Sequence, residues 1–461
     1  MKLVKSLLLG SAAGIAAVAG AQAADLPSRK AAPVEYVRVC SAFGAGFFYI
    51  PGTDTCLRVG GRVRAEYIVQ QRFNGVGLDT QDQYGMRARG RIYIDARNQT
   101  AYGTLRTFVR LDTTVSTGSY NQGTNGSAPA FSGQGGITNA GIPGASGTSS
   151  NLDRAFVQFG PLTAGRSQSF FDFYADALNY GPIRGSDNVV NLLAYTATFG
   201  SGFSATLALE DSNEHRVGNV VVSPGSASNG QPNVGNFIQG GSDYPDLVGS
   251  LNVAQGWGSA QLSGAVFQRK TVFSTGFGSG DKTGFALQAG VKINLPMLAA
   301  GDELWLQAAY AEGGISYLGY GGNSQGSTWS GNTNVGRLLI ANSDANIDVF
   351  GSMKLTKGYA LTAGFLHYWT PTIRQAVYGS YSKLDYSNNI GALGNVGLDP
   401  EEWRVGSNLI WSPVAGLDIG VEVLYANARV KNFVQAAGRP VGSLIKSDDA
   451  WQGRLRVQRD F

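Results

Sequence analysis

Histidine and cysteine are scarce in this sequence, and their scarcity excludes most catalytic and metal-binding arrangements. The 461 residues contain two histidines and two cysteines. A serine or cysteine hydrolase presents a histidine to its nucleophile. His367 lies in an apolar stretch beside Tyr368 and Trp369, typical of a membrane interface, and solvation explains His215 in a polar segment. Since neither has a third soft ligand nearby, we expect no enzyme, metal or other cofactor.

Long apolar runs and a strong net charge are missing as well. After its first residues the chain has no apolar run of 18 or more residues, which excludes a helical membrane protein. The formal net charge is +4, and charged residues make up 15% of the chain. A nucleic-acid partner would call for a concentrated basic patch rather than a near-neutral average, so none is expected.

An export signal occupies the amino terminus. Lys2 and Lys5 precede an apolar run over residues 7–18 and the small residues 21–23, which is the three-part pattern of a cleaved secretory signal. We assign residues 1–23 to the signal peptide. Losing its two lysines changes the formal net charge from +4 to +2. The mature protein is therefore expected outside the cytoplasm.

The two cysteines, Cys40 and Cys56, lie 16 positions apart. An exported chain meets an oxidising compartment, where such a pair forms a disulfide. The alternative is a pair of free thiols. We predict the disulfide, within an N-terminal periplasmic lead over residues 24–55.

Glycine and aromatic residues are abundant, and from residue 56 onward apolar and polar side chains alternate. The sequence contains 65 Gly, 22 Phe and 20 Tyr, a composition that favours strands. Segments of about ten residues with this alternation are typical of strands that face lipid on one side and water on the other. In the first segment the apolar positions are Leu57, Val59, Val63, Ala65 and Tyr67.

Arginines share the opposite register of adjacent segments. They are Arg62, Arg64, Arg87, Arg89, Arg91, Arg106 and Arg110, with Arg454 and Arg456 in the last segment. So many like charges would be costly in a packed core. We therefore expect the interior to contain water, with a merely solvated polar wall as the simpler alternative to a functional one.

Sixteen such segments can be counted, and short and long connections alternate between them. After the first three, they begin near residues 152, 162, 189, 203, 246, 258, 284, 303, 359, 373, 402, 417 and 450. This alternation is expected if all tight turns lie on one side of a membrane and all long loops on the other. The last segment, ending at Phe461, must pair with residues 56–71 to leave no open edge. The segment 349–356 could be a further strand, but closure needs an even number, so we assign it to the sixth loop or the following strand.

These patterns predict an all-β protein: a 16-stranded antiparallel transmembrane β-barrel over residues 56–461, with short periplasmic turns and long external loops. The third long connection, residues 170–188, is more apolar than its Gly/Ser-rich neighbours. Exposed at the surface it would form an adhesive patch. We expect it to fold into the barrel and present Asp172, Asp176 and Asp187 to the arginines, with packing against other external loops as the alternative.

The sequence resembles the trimeric general porins of alphaproteobacterial outer membranes. The residues that carry the resemblance are 24–67, 164–176, 367–371 and the terminal Phe461. It implies a sixteen-stranded barrel, a homotrimer and an inward-folded third loop that narrows the lumen. It places the constriction at Asp172 and Asp176 of the loop and at wall arginines among Arg62, Arg64, Arg87, Arg89, Arg91, Arg106 and Arg110.

The expected function is passive diffusion of small hydrophilic solutes and ions across the outer membrane. The expected partners are outer-membrane lipid, lipopolysaccharide and two further copies of the chain. The main alternative is a surface adhesin or structural barrel that uses its long external loops and has a plugged lumen. An outer-membrane hydrolase is a weaker alternative, because it would depend on His367.

Overall fold

Sixteen long antiparallel strands form the body of the protein in a computed structural model that describes residues 38–70, 83–118, 146–217, 237–273, 279–320, 333–340, 342–347, 352–386, 399–435 and 442–461. The first eight strands are β1 (Cys56–Gln70), β2 (Tyr84–Thr100), β3 (Gly103–Gly118), β4 (Ser146–Phe159), β5 (Leu162–Gln168), β6 (Val189–Gly200), β7 (Phe203–Glu210) and β8 (Asp246–Gln255). The remaining eight are β9 (Gly258–Phe273), β10 (Ser279–Asn294), β11 (Glu303–Glu312), β12 (Lys357–Thr370), β13 (Ile373–Asp385), β14 (Glu401–Val414), β15 (Leu417–Gln435) and β16 (Leu444–Asp460).

The strands close into a barrel because the last pairs with the first. Each strand pairs antiparallel with its chain neighbours, and β16 pairs with β1 from Arg62 opposite Asp460 to Gln70 opposite Gln452. Gly61 and Phe461 exchange two backbone hydrogen bonds of 2.9 and 3.0 Å. The predicted sixteen-stranded closure is therefore confirmed. No helix within the described ranges has the length and hydropathy needed for a membrane span.

The predicted alternation of side chains is present in the strands. In β1, Val59, Val63 and Tyr67 are exposed on the outer surface, whereas Glu66 and Gln70 are buried inside. Three strands begin earlier than predicted, at residues 146, 279 and 444 rather than 152, 284 and 450. Their extensions are polar because the hydrogen-bonded ladder continues beyond the hydrocarbon layer, where neither face needs to be apolar.

Aromatic side chains lie near both ends of the barrel's outer surface. At the long-loop end, neighbouring strands pair Tyr67 with Tyr84, Phe285 with Tyr310, Tyr359 with Tyr381, and Trp403 with Tyr425. At the short-turn end, Tyr102, Phe159, Phe199, Trp257, Trp369 and Trp411 are exposed. Such girdles are typical of barrels whose ends lie at the two membrane–water interfaces.

Shorter elements lie in the long connections. A 3₁₀ turn, Ile315–Leu318, is fully buried, and Phe237–Gln239 pairs with β9. Thr333–Val335 pairs with Leu338–Ile340, and Ala345–Ile347 pairs with Met353–Leu355. The described part of segment 349–356 is therefore a short loop strand and not a further strand of the barrel, in agreement with its assignment to the sixth loop.

The described residues 38–56 belong to a separate compact unit. Its described part contains a 3₁₀ turn, Ser41–Phe43, and the two-residue strand Phe48–Tyr49, and Cys40 and Cys56 form the predicted disulfide. The buried disulfide packs against Phe47. The predicted signal peptide, residues 1–23, lies outside the described residues.

Candidate functional site

The third long connection, between β5 and β6, lies inside the barrel. Its Phe171 carbonyl accepts hydrogen bonds from the side chains of Gln261, Ser263 and Gln288 on β9 and β10, at 3.2, 2.8 and 2.7 Å. The Tyr174 amide donates to Gln307 of β11 at 2.9 Å. The predicted inward fold of this loop is therefore confirmed.

Carboxylates of β14 and β15 bind the rest of the loop. Glu422 of β15 accepts the backbone amides of Tyr180 and Gly181 at 2.6 and 2.7 Å. Glu402 of β14 receives a bidentate ion pair from Arg184, at 3.0 and 2.8 Å, and both side chains are almost completely buried. Since bidentate charge-assisted bonds fix both position and orientation, these contacts fix the loop against β14 and β15.

Aromatic side chains of the loop pack against β11 and against the buried 3₁₀ turn Ile315–Leu318. Phe171 meets Tyr317 edge-on, with ring centroids 4.6 Å apart, and Tyr174 meets Trp305 in the same way at 5.7 Å. Phe171 and Tyr174 are buried. The aromatic composition that distinguished this loop in the sequence is therefore used for interior packing.

The beginning of the loop and His215 share a hydrogen-bond partner, Glu210. The prediction that solvent surrounds His215 was wrong. His215 is completely buried, stacks on Tyr317 at 4.5 Å and bonds Glu210 through Nε2 at 2.7 Å. Glu210 also accepts from the Ser169 hydroxyl and the Phe170 amide, at 2.7 and 2.9 Å. Burial lowers the pKa of His215, but the bond and charge of Glu210 outweigh burial, and the net pKa is raised. A polar sequence context failed to predict this burial because the partners come from distant segments.

A cavity of about 460 Å³ separates the loop from the opposite wall. The barrel strands around this cavity contribute Arg62, Arg64, Arg89, Arg91, Arg110, Arg154, Arg374 and Arg456, with Asp153, Glu303 and Asp418. The loop contributes Ala175, Asp176, Ala177, Leu178, Asn179, Tyr180 and Asp187. Five of the seven arginines predicted for the constriction thus lie around one space.

Arg87 and Arg106, the other two, do not line this cavity. Arg87 bonds Glu66 at 2.6 Å, and Arg106 forms two bonds of 2.9 Å with Asp95. Both share the inward register of the lining arginines. They lie at other positions along the barrel axis than the cavity. The alternation of side chains predicts which residues face inward, but it does not predict their position along this axis.

The loop aspartates occupy different positions. Asp176 and Asp187 line the cavity. Asp172 does not, because its carboxylate accepts from the Gln168 side chain and the Asn188 amide, at 2.5 and 2.6 Å. These contacts join the beginning and end of the loop.

Burial and the charge of Asp187 both change the protonation of the loop carboxyl groups. They raise the pKa of Asp172 to about 7 and that of Asp176 to about 8. At neutral pH Asp176 is therefore mostly uncharged, and the positive wall faces a loop with less negative charge than its sequence indicates.

Asp153 and Arg154 also line the cavity, although neither was among the predicted site residues. The reason is a register shift in β4, which a strict alternation of side chains does not predict. Arg110 lies opposite Arg154 while Leu111 lies opposite Leu152, so Asp153 is an extra residue in β4. Asp153 pairs with Arg110, and Arg154 donates to Gln168 at 2.6 Å. Strict alternation would have placed one of these neighbours on the outer surface.

A closed antiparallel barrel with girdles of outward aromatic residues and a lumen narrowed by an internal loop defines the class of outer-membrane channel proteins. The family model described as "Porin subfamily" matches residues 25–454. The chain therefore belongs to this porin family.

Individual relatives agree with this membership. The chain is 30% identical over 472 aligned residues to porin Omp2b of Brucella suis, covering 99% of this chain and 100% of that protein. It is 31% identical to porin Omp2b of Brucella abortus, covering 99% of each. Among solved structures, the outer-membrane channel DcaP of Acinetobacter baumannii aligns with a TM-score of 0.60 and 16% identity, covering 90% of this chain and 99% of that chain. This structural similarity shows a shared fold and nothing beyond it.

Proposed function

We propose that this protein is a passive diffusion channel of the outer membrane, in which small hydrophilic solutes and ions pass between the arginine-bearing wall and the internal loop. The observation that carries the proposal is the water-accessible space lined by charges from both sides. Within this constriction, Arg62, Arg64, Arg89, Arg91 and Arg110 face Asp187 and also Asp176, which becomes charged as the pH is raised above about 8. Such opposed charges align water and polar solutes, whereas apolar molecules lose hydration without compensation.

The same proposal covers the biological setting of the barrel. Residues 1–23 direct export and are removed, residues 24–55 form a periplasmic lead, and the barrel assembles as a homotrimer in contact with lipid and lipopolysaccharide. The membrane girdles and the family membership support this arrangement. No bond-breaking step is needed for such transport, so we propose no enzymatic activity.

Planar-bilayer conductance of the purified full-length protein tests the proposal. We expect steps that rise linearly with voltage, and a clear decrease in conductance for Ala177→Trp, because Ala177 is an exposed lining residue of the loop. The matched control is Ala88→Trp, which adds the same side chain to the outer surface of β2. Silent bilayers, or equal conductance in both variants, would refute the proposed route.

The competing adhesin function predicts a plugged lumen. The second external loop that such an adhesin would use falls largely on residues 119–145, which lie outside the described residues. Deletion of residues 119–145 distinguishes the two functions. A channel keeps its conductance after the deletion, whereas an adhesin with a plugged lumen has no conductance to keep and loses its binding.

A further inference from the structure

We propose that the constriction contains a binding site for small oxyanions, carboxylates or phosphate, centred on Arg64, and that the channel therefore prefers anions. The inference rests on the proposed channel function and adds its substrate class. It follows from three features of the cavity: its charge balance, the hydrogen-bond partners of its arginines, and the asymmetric distribution of its acids.

The charge balance of the lining favours anions. Eight arginines line the cavity against five acids, Asp153, Asp176, Asp187, Glu303 and Asp418. Three further acids, Asp112, Asp460 and Glu66, pair with Arg91, Arg62 and Arg456 from outside the lining. The positive excess is therefore local, and it arises where Asp176 is uncharged and where arginines outnumber their carboxylate partners. A narrow cavity with low-dielectric walls concentrates the field of such a charge on the passing ion.

Most of the lining arginines are already neutralised by a carboxylate on the wall. Arg91 forms two bonds of 2.7 Å with Asp112, and Arg374 forms one of 2.8 Å with Asp418. The other close pairs are Arg62 with Asp460, Arg110 with Asp153, and Arg456 with Glu66. These guanidinium groups have a negative partner before any solute arrives.

Arg64 and Arg154 differ from these five, because the side-chain hydrogen bond of each goes to a neutral glutamine amide. The Nε of Arg64 donates to Gln458 Oε1 at 2.9 Å. The charges of Arg456, Arg89 and Arg62 all act on its guanidinium, against that of Glu66. An oxyanion near Arg64 would accept from its terminal nitrogens and relieve the repulsion between these neighbouring cations.

The loop opposite this end of the cavity brings aromatic rather than acidic contact. Tyr180 lies against the guanidinium of Arg456, with its ring centre 3.7 Å away. In contrast, the negative charges of Asp153 and Asp187 both act on the guanidinium of Arg154. The cavity therefore has a cationic end around Arg64, where Glu66 is set against the charges of Arg456, Arg89 and Arg62, and a mixed end at Arg154. The first is the place for an anion.

The experiment measures reversal potential and current block in planar bilayers containing the full-length protein. In a KCl gradient the wild type should prefer chloride, and added inorganic phosphate or succinate should reduce the chloride current. For Arg64→Gln we expect the concentration of phosphate that halves the current to rise about tenfold, the loss of one charge-assisted contact. Arg64→Lys should retain part of the block.

Two further variants make the test specific. Gln458→Glu leaves Arg64 in place but supplies a carboxylate next to it, and it should weaken the phosphate block as Arg64→Gln does. Arg97→Gln removes an arginine that pairs with Asp95 outside the cavity, and it should behave as the wild type. Heat-modifiable migration of each variant in gels verifies a folded barrel before recording.

Each outcome has a separate meaning. A wild-type channel that conducts but prefers potassium, or that is blocked equally with and without Arg64, overturns the oxyanion site and leaves the proposed channel function intact. Absence of conductance would instead overturn the channel function. Block by succinate without block by phosphate would restrict the site to carboxylates, and the reverse result would restrict it to phosphate.

Discussion

The two inner walls of the barrel carry similar residues but use them differently. On β14 and β15, Glu402 and Glu422 are bound by the internal loop, so their charges are occupied by protein structure. On β1 to β4 and β16, the arginines bond neighbouring strands and still line the open cavity. The difference shows that the path of one loop decides which polar wall is structural and which faces the solute.

The largest expected effect comes from removing a loop anchor. Glu402→Ala should destabilise the protein by about 3–5 kcal/mol, because Arg184 is then left as a buried charge without its carboxylate. Loop displacement should also increase conductance and current noise. Thermal unfolding and single-channel recording measure the two effects.

The neighbouring Glu401 provides a matched control. It pairs with the more exposed Lys383 and Arg429, and exposed pairs contribute about 0–1 kcal/mol. Glu401→Ala should therefore lower the unfolding temperature little. If the two variants are equally stable, the loop is not held by Glu402 and the contrast between the walls fails.

An intermediate effect is expected from pH. Because the pKa of Asp176 is about 8, this carboxyl group is neutral below that pH and negative above it. Anion preference should therefore decrease as the pH is raised from about 7 to about 9. Reversal potentials at several pH values measure the change.

Aspartate variants assign this pH dependence. Asp176→Asn should keep the strong anion preference at high pH and flatten the profile. Asp172→Asn should leave most of the profile in place, since Asp172 lies away from the cavity lining. An unchanged profile in the Asp176 variant would show that another group titrates.

The smallest effect is expected for Arg106→Gln. Arg106 has the same register as the cavity arginines, but it bonds Asp95 outside the lining, and Arg97 remains as a second partner of Asp95. Ion selectivity should remain close to that of the wild type. A change as large as that of Arg64→Gln would show that the effective constriction extends to the short-turn end.

Much of this architecture could be predicted from the sequence because the membrane imposes a two-residue period on each strand. That period gave the inward register of Arg62 and Arg89 and the closure at Phe461. The aromatic composition of residues 170–188 indicated the internal loop, since an exposed aromatic patch is unfavourable.

The remaining features depend on contacts between distant segments. Asp172 binds Asn188, and His215 binds Glu210 and stacks on Tyr317, and none of these pairings follows from a local pattern. The height of each arginine along its strand depends on the position of the loop. For these reasons the sequence predicted the charged wall but not which of its members meet the solute.

The extra residue in β4 has a wider consequence for how such a lumen can change in evolution. With it, an acid and a base that are adjacent in the chain, Asp153 and Arg154, both point inward. Loss of that single position would turn one of them outward and alter the electrical character of the passage. The number of strands and the turns that join them would remain the same.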